Sequence, residues 1–254
     1  MNFNGVPEAI VVPDNAVFNV DDITKNTASD LIVNVTMGNK SSGLITTNSL
    51  TKTGAGTMEL TSANSYDGGT AVSGGTLKLT GAGTLGTGAV AVNDAGTLEV
   101  AYEDPAKDLD ISSLTLAEGG TFKLTSGTAS IDEALTAEAG AQFIFELGGT
   151  ADSSLLLSSG STMDISENAV LELLMLDGAS GTYTLIEAED GLGDYTDAAF
   201  WTDLLTTESD YFWDLSIVGN SLLATVDSNA VPEPATWALL IFGAFGVYWV
   251  RRKK

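Results

Sequence analysis

The sequence predicts an all-β chain: a single-stranded parallel β-helix, a solenoid of about 20 residues per coil, closed by a C-terminal cap and followed by one C-terminal transmembrane helix. Three observations carry that expectation. A glycine-led phrase recurs at a near-constant interval, the residues inside it alternate apolar and polar, and an uncharged run near the end stops at four consecutive cations.

The phrase is GTMEL at Gly56, GTLKL at Gly75, GTLEV at Gly96 and GTFKL at Gly120, with looser copies led by Gly140, Gly160 and Gly181. Successive leading glycines are 19, 21, 24, 20, 20 and 21 residues apart, the period of stacked single coils. Apolar residues two apart mark a strand with one buried face. A second alternating segment precedes most of the glycines: GAVAV (88–92), SLTL (113–116), EALTA (133–137) and SLLL (154–157). Each coil therefore reads strand, corner, strand, corner, with glycine expected to supply positive φ at the corner. AIVVPDNAVFNV (9–20) has the same phrasing, so stacking is expected to begin near residue 9.

Stacking aligns Met58, Leu77, Leu98 and Phe122 in one inward column and Leu60, Leu79, Val100 and Leu124 in the next. Each such burial is worth on the order of 1.5–3 kcal/mol, and no coil hides these faces alone. The outward residues between them, Glu59, Lys78, Glu99 and Lys123, alternate in sign. Strands about 4.8 Å apart put each lysine beside a glutamate. Exposed pairs of this kind contribute tenths of a kcal/mol, so their expected role is register.

The expected organisation is N-terminal β-coils or cap over 1–50, the repeat β-helix over 51–186, a cap over 187–227, a linker over 228–234 and the tail over 235–254. DAAFWTDLLTT (197–207) predicts a short helix, and YFWDLSIVGNSLLATV (211–226) predicts a hairpin turning at Gly219-Asn220-Ser221. The aromatics Phe200, Trp201, Tyr211, Phe212 and Trp213 are expected to pack into this cap, with a sugar-stacking platform as the alternative.

The run 235–250 carries no charge and is followed by Arg251, Arg252, Lys253 and Lys254. As a helix it spans about 24 Å at 1.5 Å per residue. Trp237 and Trp249 near its ends and snorkelling cations extend it toward the hydrocarbon thickness. The basic cluster places the C-terminus in the cytoplasm and the body across the membrane. Val231-Pro232-Glu233-Pro234, the apolar run and RRKK, in that order, resemble the PEP-CTERM sorting signal of bacterial exported proteins. The resemblance implies recognition of Pro-Glu-Pro by a membrane-embedded exosortase, cleavage nearby and release to the outer surface or extracellular polysaccharide. Leu50 to Gly83 resembles the autotransporter-associated β-strand repeat, which implies a right-handed parallel β-helix. A membrane barrel of alternating strands is not expected here, so the passenger-type fold is carried over without self-translocation. The N-terminal MNFNGVPEAIVVPDNAVFNVDD lacks a basic region and an apolar stretch, so it is not read as a signal peptide. The true start is expected upstream, or the chain is a fragment, and export rests on the tail alone.

Composition narrows the chemistry. Ahead of Val231 stand 33 acids and 6 lysines, a surface that repels phosphate backbones, so nucleic acid is not an expected partner. The chain has no cysteine and no histidine, which removes thiolate sites, the usual general base and the commonest transition-metal ligand. The acid pairs Asp21/Asp22, Glu103/Asp104, Asp108/Asp110, Asp132/Glu133 and Glu189/Asp190 are read as solvated corner charges rather than a glycosidase dyad. No cofactor is expected. Calcium is left open at DDITKNTASD (21–30) and DLDISS (108–113). The expected role is a non-enzymatic structural protein of the cell surface or biofilm matrix, inner-membrane-anchored until processed. The alternatives are a glycan-binding adhesin and, behind it, an exported carbohydrate-active enzyme.

Overall fold

The computed structural model describes residues 10–12, 15–39, 48–104, 106–148, 153–176, 180–206 and 211–227. The chain opens with β1 (Ile10–Val12), β2 (Ala16–Asn19), β3 (Leu31–Val33) and β4 (Met37–Asn39). The repeats contribute β5 (Leu50–Thr53), β6 (Thr57–Leu60), β7 (Thr70–Val72), β8 (Gly75–Leu79), β9 (Val90–Val92), β10 (Gly96–Ala101), β11 (Asp108–Leu116) and β12 (Thr121–Ala137). They continue with β13 (Gln142–Leu147), β14 (Ser153–Leu157), β15 (Thr162–Ile165), β16 (Val170–Met175) and β17 (Gly181–Ala188). Helix α1 (Ala198–Leu204), β18 (Leu205–Thr206), β19 (Phe212–Val218) and β20 (Ser221–Asp227) end the described chain.

Every pairing from β1 to β18 is parallel and joins one coil to the next, about six turns of solenoid. One face stacks β2, β5, β7, β9, the end of β11, the end of β12 and β15. A second stacks β3, β6, β8, β10, the start of β12, β13, β16 and β18. The expected columns form in register. Met58 lies on Leu77, Leu77 on Leu98 and Leu98 on Phe122, and the neighbouring column runs Leu60, Leu79, Val100, Leu124. All eight are fully buried. Phe143 and Phe145 extend both columns in the coil led by Gly140.

The coil has three sides, not the expected two. The start of β11, the middle of β12, β14 and β17 stack as a third face, where Leu109, Ala129, Leu155 and Ile186 align. The phrases led by Gly160 and Gly181 consequently leave the first column. TMDI in β15 stacks on Ala134 to Ala137 in the face of β9, and β17 stacks on β14 in the third face. SLLL likewise belongs to the third face. The true continuation beyond β13 is VLEL in β16, which no glycine-threonine pair announces.

The corner glycines work differently from the expectation. Of the four tight copies only Gly75 has positive φ, +58°. At Gly96 and Gly120 a Cβ would lie 2.4 Å and 2.3 Å from the carbonyl oxygens of Val72 and Val92, one coil below. These glycines are required by close backbone approach. The left-handed residue is the one before, Ala95 at +60° and Gly119 at +75°.

The charge ladder is present with one departure. Glu99 meets Lys78 at 3.3 Å and Lys123 at 3.9 Å, and Lys123 meets Glu146 at 2.7 Å. Glu59 pairs in register with Lys78, but its carboxylate accepts hydrogen bonds from Ser29 and Thr80, both at 2.5 Å. Burial opposes its charge, and those two bonds with nearby Lys78 still hold its carboxyl below the usual range.

The cap contains the expected helix and hairpin. Asp197 caps α1 by accepting from the Ala199 N–H at 2.9 Å, and Trp201 and Leu204 point into the end of the core. Stacking continues to β18, where Leu205 lies on Leu171. β19 and β20 form the hairpin at Gly219, and β20 also pairs antiparallel with β17. Among the described residues no helix is long and apolar enough to cross a membrane; the predicted transmembrane segment lies outside them.

At the other end, the loop before β3 is tied to the second coil by Asp30. Its carboxylate accepts from the N–H groups of Thr24 and Thr57, and from that of Ile23, at 2.8–2.9 Å, which lowers its pKa to about 2.

Two expectations follow. Phe122→Ala lowers stability by about 3–5 kcal/mol in urea unfolding, and Gly120→Ala is also destabilising although it adds only a methyl. Because the folded pKa of Asp30 lies below its unfolded value of about 3.9, the tie is complete above pH 4 and lost as pH falls toward 2. Protection of the Thr57 amide in hydrogen exchange falls across that window, and Asp30→Asn abolishes the step.

Candidate functional site

A cleft of about 400 Å³ lies between β15 and the turn after β17. It is lined by Ser161, Met163, Asp164, Asp190, Asp194 and Tyr195 among others. Coil stacking places the 189–191 turn over the 159–160 turn. The Asp190 carboxylate accepts from the Gly160 N–H at 2.7 Å and the Ser159 hydroxyl at 2.9 Å, which holds it below the usual carboxylate range. Glu189 accepts from the Ser159 N–H at 3.0 Å. Tyr195 accepts from the Ile165 N–H at 2.8 Å through its hydroxyl. These groups are engaged in fastening one turn to the next. Among the described residues the carboxyls with a clear shift, Asp30, Glu59 and Asp190, are all shifted downward, toward the anion that accepts these hydrogen bonds.

The five acid pairs singled out from the sequence are all exposed. Of the two calcium candidates, 21–30 is a loop closed on itself: Asp22 accepts from the Lys25 N–H at 2.7 Å and Asp30 ties the loop to Thr57. In the segment 108–113, Leu109 and Ile111 enter the core while Asp108 and Asp110 face outward on β11. Among the described residues no group of three or more Asp, Glu, His or Cys is gathered as a metal site.

The cap aromatics do not form an open platform. Trp201 is buried, its indole N–H donates to the Tyr195 carbonyl at 3.0 Å, and its ring meets Phe200 edge-on at 5.3 Å. Trp213 is buried beside Tyr211. Phe212 alone of the five is strongly exposed.

One residue escaped the sequence analysis although its position was legible. Period-two alternation from Leu50 turns Lys52 inward, into the column of Val72 and Val92. Lys52 is fully buried, and its ammonium donates to the carbonyls of Gly54 (2.7 Å), Gly74 (2.8 Å) and Thr53 (3.1 Å). Burial lowers its pKa, opposed in part by Asp30. It binds the corners of two coils from inside.

Of the repeat glycines, Gly140 (φ +79°) and Gly160 (φ +85°) lie in turns, Gly75, Gly96 and Gly181 open β8, β10 and β17, and Gly56 and Gly120 immediately precede β6 and β12. Val231 to Pro234 and the anchor residues Trp237, Trp249, Arg251, Arg252, Lys253 and Lys254 lie outside the described residues, which end at Asp227.

Comparison with known proteins addresses both parts of the chain. No curated protein matches it. Residues 50–79, from β5 through β8, match the family model of the passenger-associated-transport-repeat. Residues 230–253 match the model of the PEP-CTERM protein-sorting motif, so the chain is similar to proteins bearing that signal at one end and to passenger-type repeats in its coils.

Proposed function

We propose that this chain is the precursor of an exported structural protein of the cell surface or extracellular matrix. It is processed at Pro232-Glu233-Pro234 by an exosortase-like enzyme and presents its solenoid as a stiff acidic rod. The observation that carries the reading is the pairing, in one chain, of a match to the sorting motif at 230–253 with a passenger-type parallel solenoid ending just before it. The motif supports export and processing by such an enzyme. Prolines at 232 and 234 favour an extended peptide accessible to it. The 235–250 run inserts as a membrane-spanning helix, RRKK holds the C-terminus in the cytoplasm, and cleavage frees the body from this anchor.

A non-enzymatic role fits the side-chain chemistry. The carboxylates with clear shifts are stabilised as anions and fasten coil to coil or loop to coil. No cofactor is required by this role. The mature partner is extracellular polysaccharide, met through outward hydroxyls and carboxylates rather than through the buried indoles of Trp201 and Trp213.

Mass determination of the extracellular form tests the processing. The wild-type protein is expected without its hydrophobic tail, and deletion of Pro232-Glu233-Pro234 is expected to leave full-length protein in the membrane fraction. Full-length, membrane-retained protein in both cases overturns the reading.

A further inference from the structure

The described chain ends at Asp227 of β20, whose register partner across the hairpin is Phe212. Trp213 and Leu215 of β19 face the core, while Phe212 faces outward and is 71% exposed. From Asp227 to Ala235, the start of the apolar run, there are eight residues, at most about 28 Å of extended chain.

We propose that this corner of the hairpin, with Phe212 at its centre, docks on the lipid interface of the membrane that holds the tail. The proposal rests on the tail being membrane-inserted, as set out under Proposed function. Given that insertion, the short connection confines Phe212 to the immediate neighbourhood of the headgroups. A tether of this length gives an effective concentration in the millimolar range, so a contact too weak to recruit a free protein is occupied in the anchored one. Aromatic rings are favoured at the headgroup level. Asp214 and Asp227 face outward on the same sheet as Phe212, so a zwitterionic interface suits the corner better than an anionic one. Docking holds the body at the membrane surface, where a membrane-embedded processing enzyme meets the Pro232-Glu233-Pro234 motif. Cleavage removes the tether, and with it the docking, so the contact belongs to the precursor alone.

The chain has no cysteine, which allows single nitroxide labels on the full-length protein through Asp214→Cys, Val218→Cys and Leu240→Cys, each with Phe212 retained. Asp214 lies two residues from Phe212 on the same outward face. Val218 is also exposed, 61%, but lies beside the hairpin turn, at the opposite end of β19. In phosphatidylcholine nanodiscs, collision with oxygen relative to a water-soluble nickel chelate reports depth. The expected result is a lipid-embedded label at 240, an aqueous label at 218, and a ratio at 214 severalfold above that at 218. A label at 214 as aqueous as that at 218, with 240 still embedded, overturns docking and leaves the tail reading intact. An aqueous label at 240 overturns both. A label at 214 shielded from both reagents in proportion to protein concentration assigns the corner to a second copy of the chain and also overturns docking.

Discussion

The structure depends on one constraint: backbone hydrogen bonds run from each coil to the next, so every coil must present the same outline as its neighbour. Parallel strands about 4.8 Å apart leave no room for error at the corners. The carbonyls of Val72 and Val92 occupy the space where a side chain on Gly96 and Gly120 would begin. Inside, the constraint becomes a matching of volumes: methionine, leucine and phenylalanine succeed one another in a column with no exposed member. Lys52 shows how strictly it acts. A lysine placed in a valine column is retained in the interior, and its charge is met by three carbonyl oxygens. Unsatisfied, that group would cost several kcal/mol.

The features that repeat were legible from residues alone, because stacking writes the same inward residues at the same interval. The GTxxL phrase placed the two apolar columns and the sign-alternating outward column correctly. What it did not disclose was the third side of the coil. The long strand β12 turns two corners without a break, the first marked only by Ser126 and the left-handed Gly127 (φ +87°) and the second only by Asp132 and Glu133. Once coils lengthen beyond β13, to 28 residues between Phe143 and Leu171, a glycine-threonine pair marks any face, and Gly160 and Gly181 mark the wrong ones. The chemistry of the carboxylates was less legible than the stacking for a related reason. Sequence lists carboxylates, whereas their acidity is decided by N–H donors supplied from the adjacent coil, as for Asp190 and Asp30.

The ends need other solutions, since a terminal coil has a neighbour on one side only. At the C-terminal end the core is covered by α1 through Trp201 and Leu204, and the third face changes from parallel to antiparallel at β20. The hairpin was legible because a two-stranded turn is local: alternating residues and a glycine suffice. The helix over the open end was legible as part of a cap, its apolar side at Trp201 and Leu204 marking what a seven-residue helix must cover to be stable. The aromatics near it are consumed by that task, with Tyr195, Phe200 and Trp201 in mutual edge contact.

The position of β20 also decides how the end of the described chain is held. It is the middle strand of three, bonded to β17 on one side and β19 on the other, and Asp227 is its last residue. A pull on that end along the strand therefore loads two ladders of hydrogen bonds at once, in shear, and passes through β17 into β14 and the third face. On an edge strand the same pull would act on one ladder. The folded repeats, built coil on coil from contacts about one period apart, are in this way joined to the last described strand through two ladders rather than one.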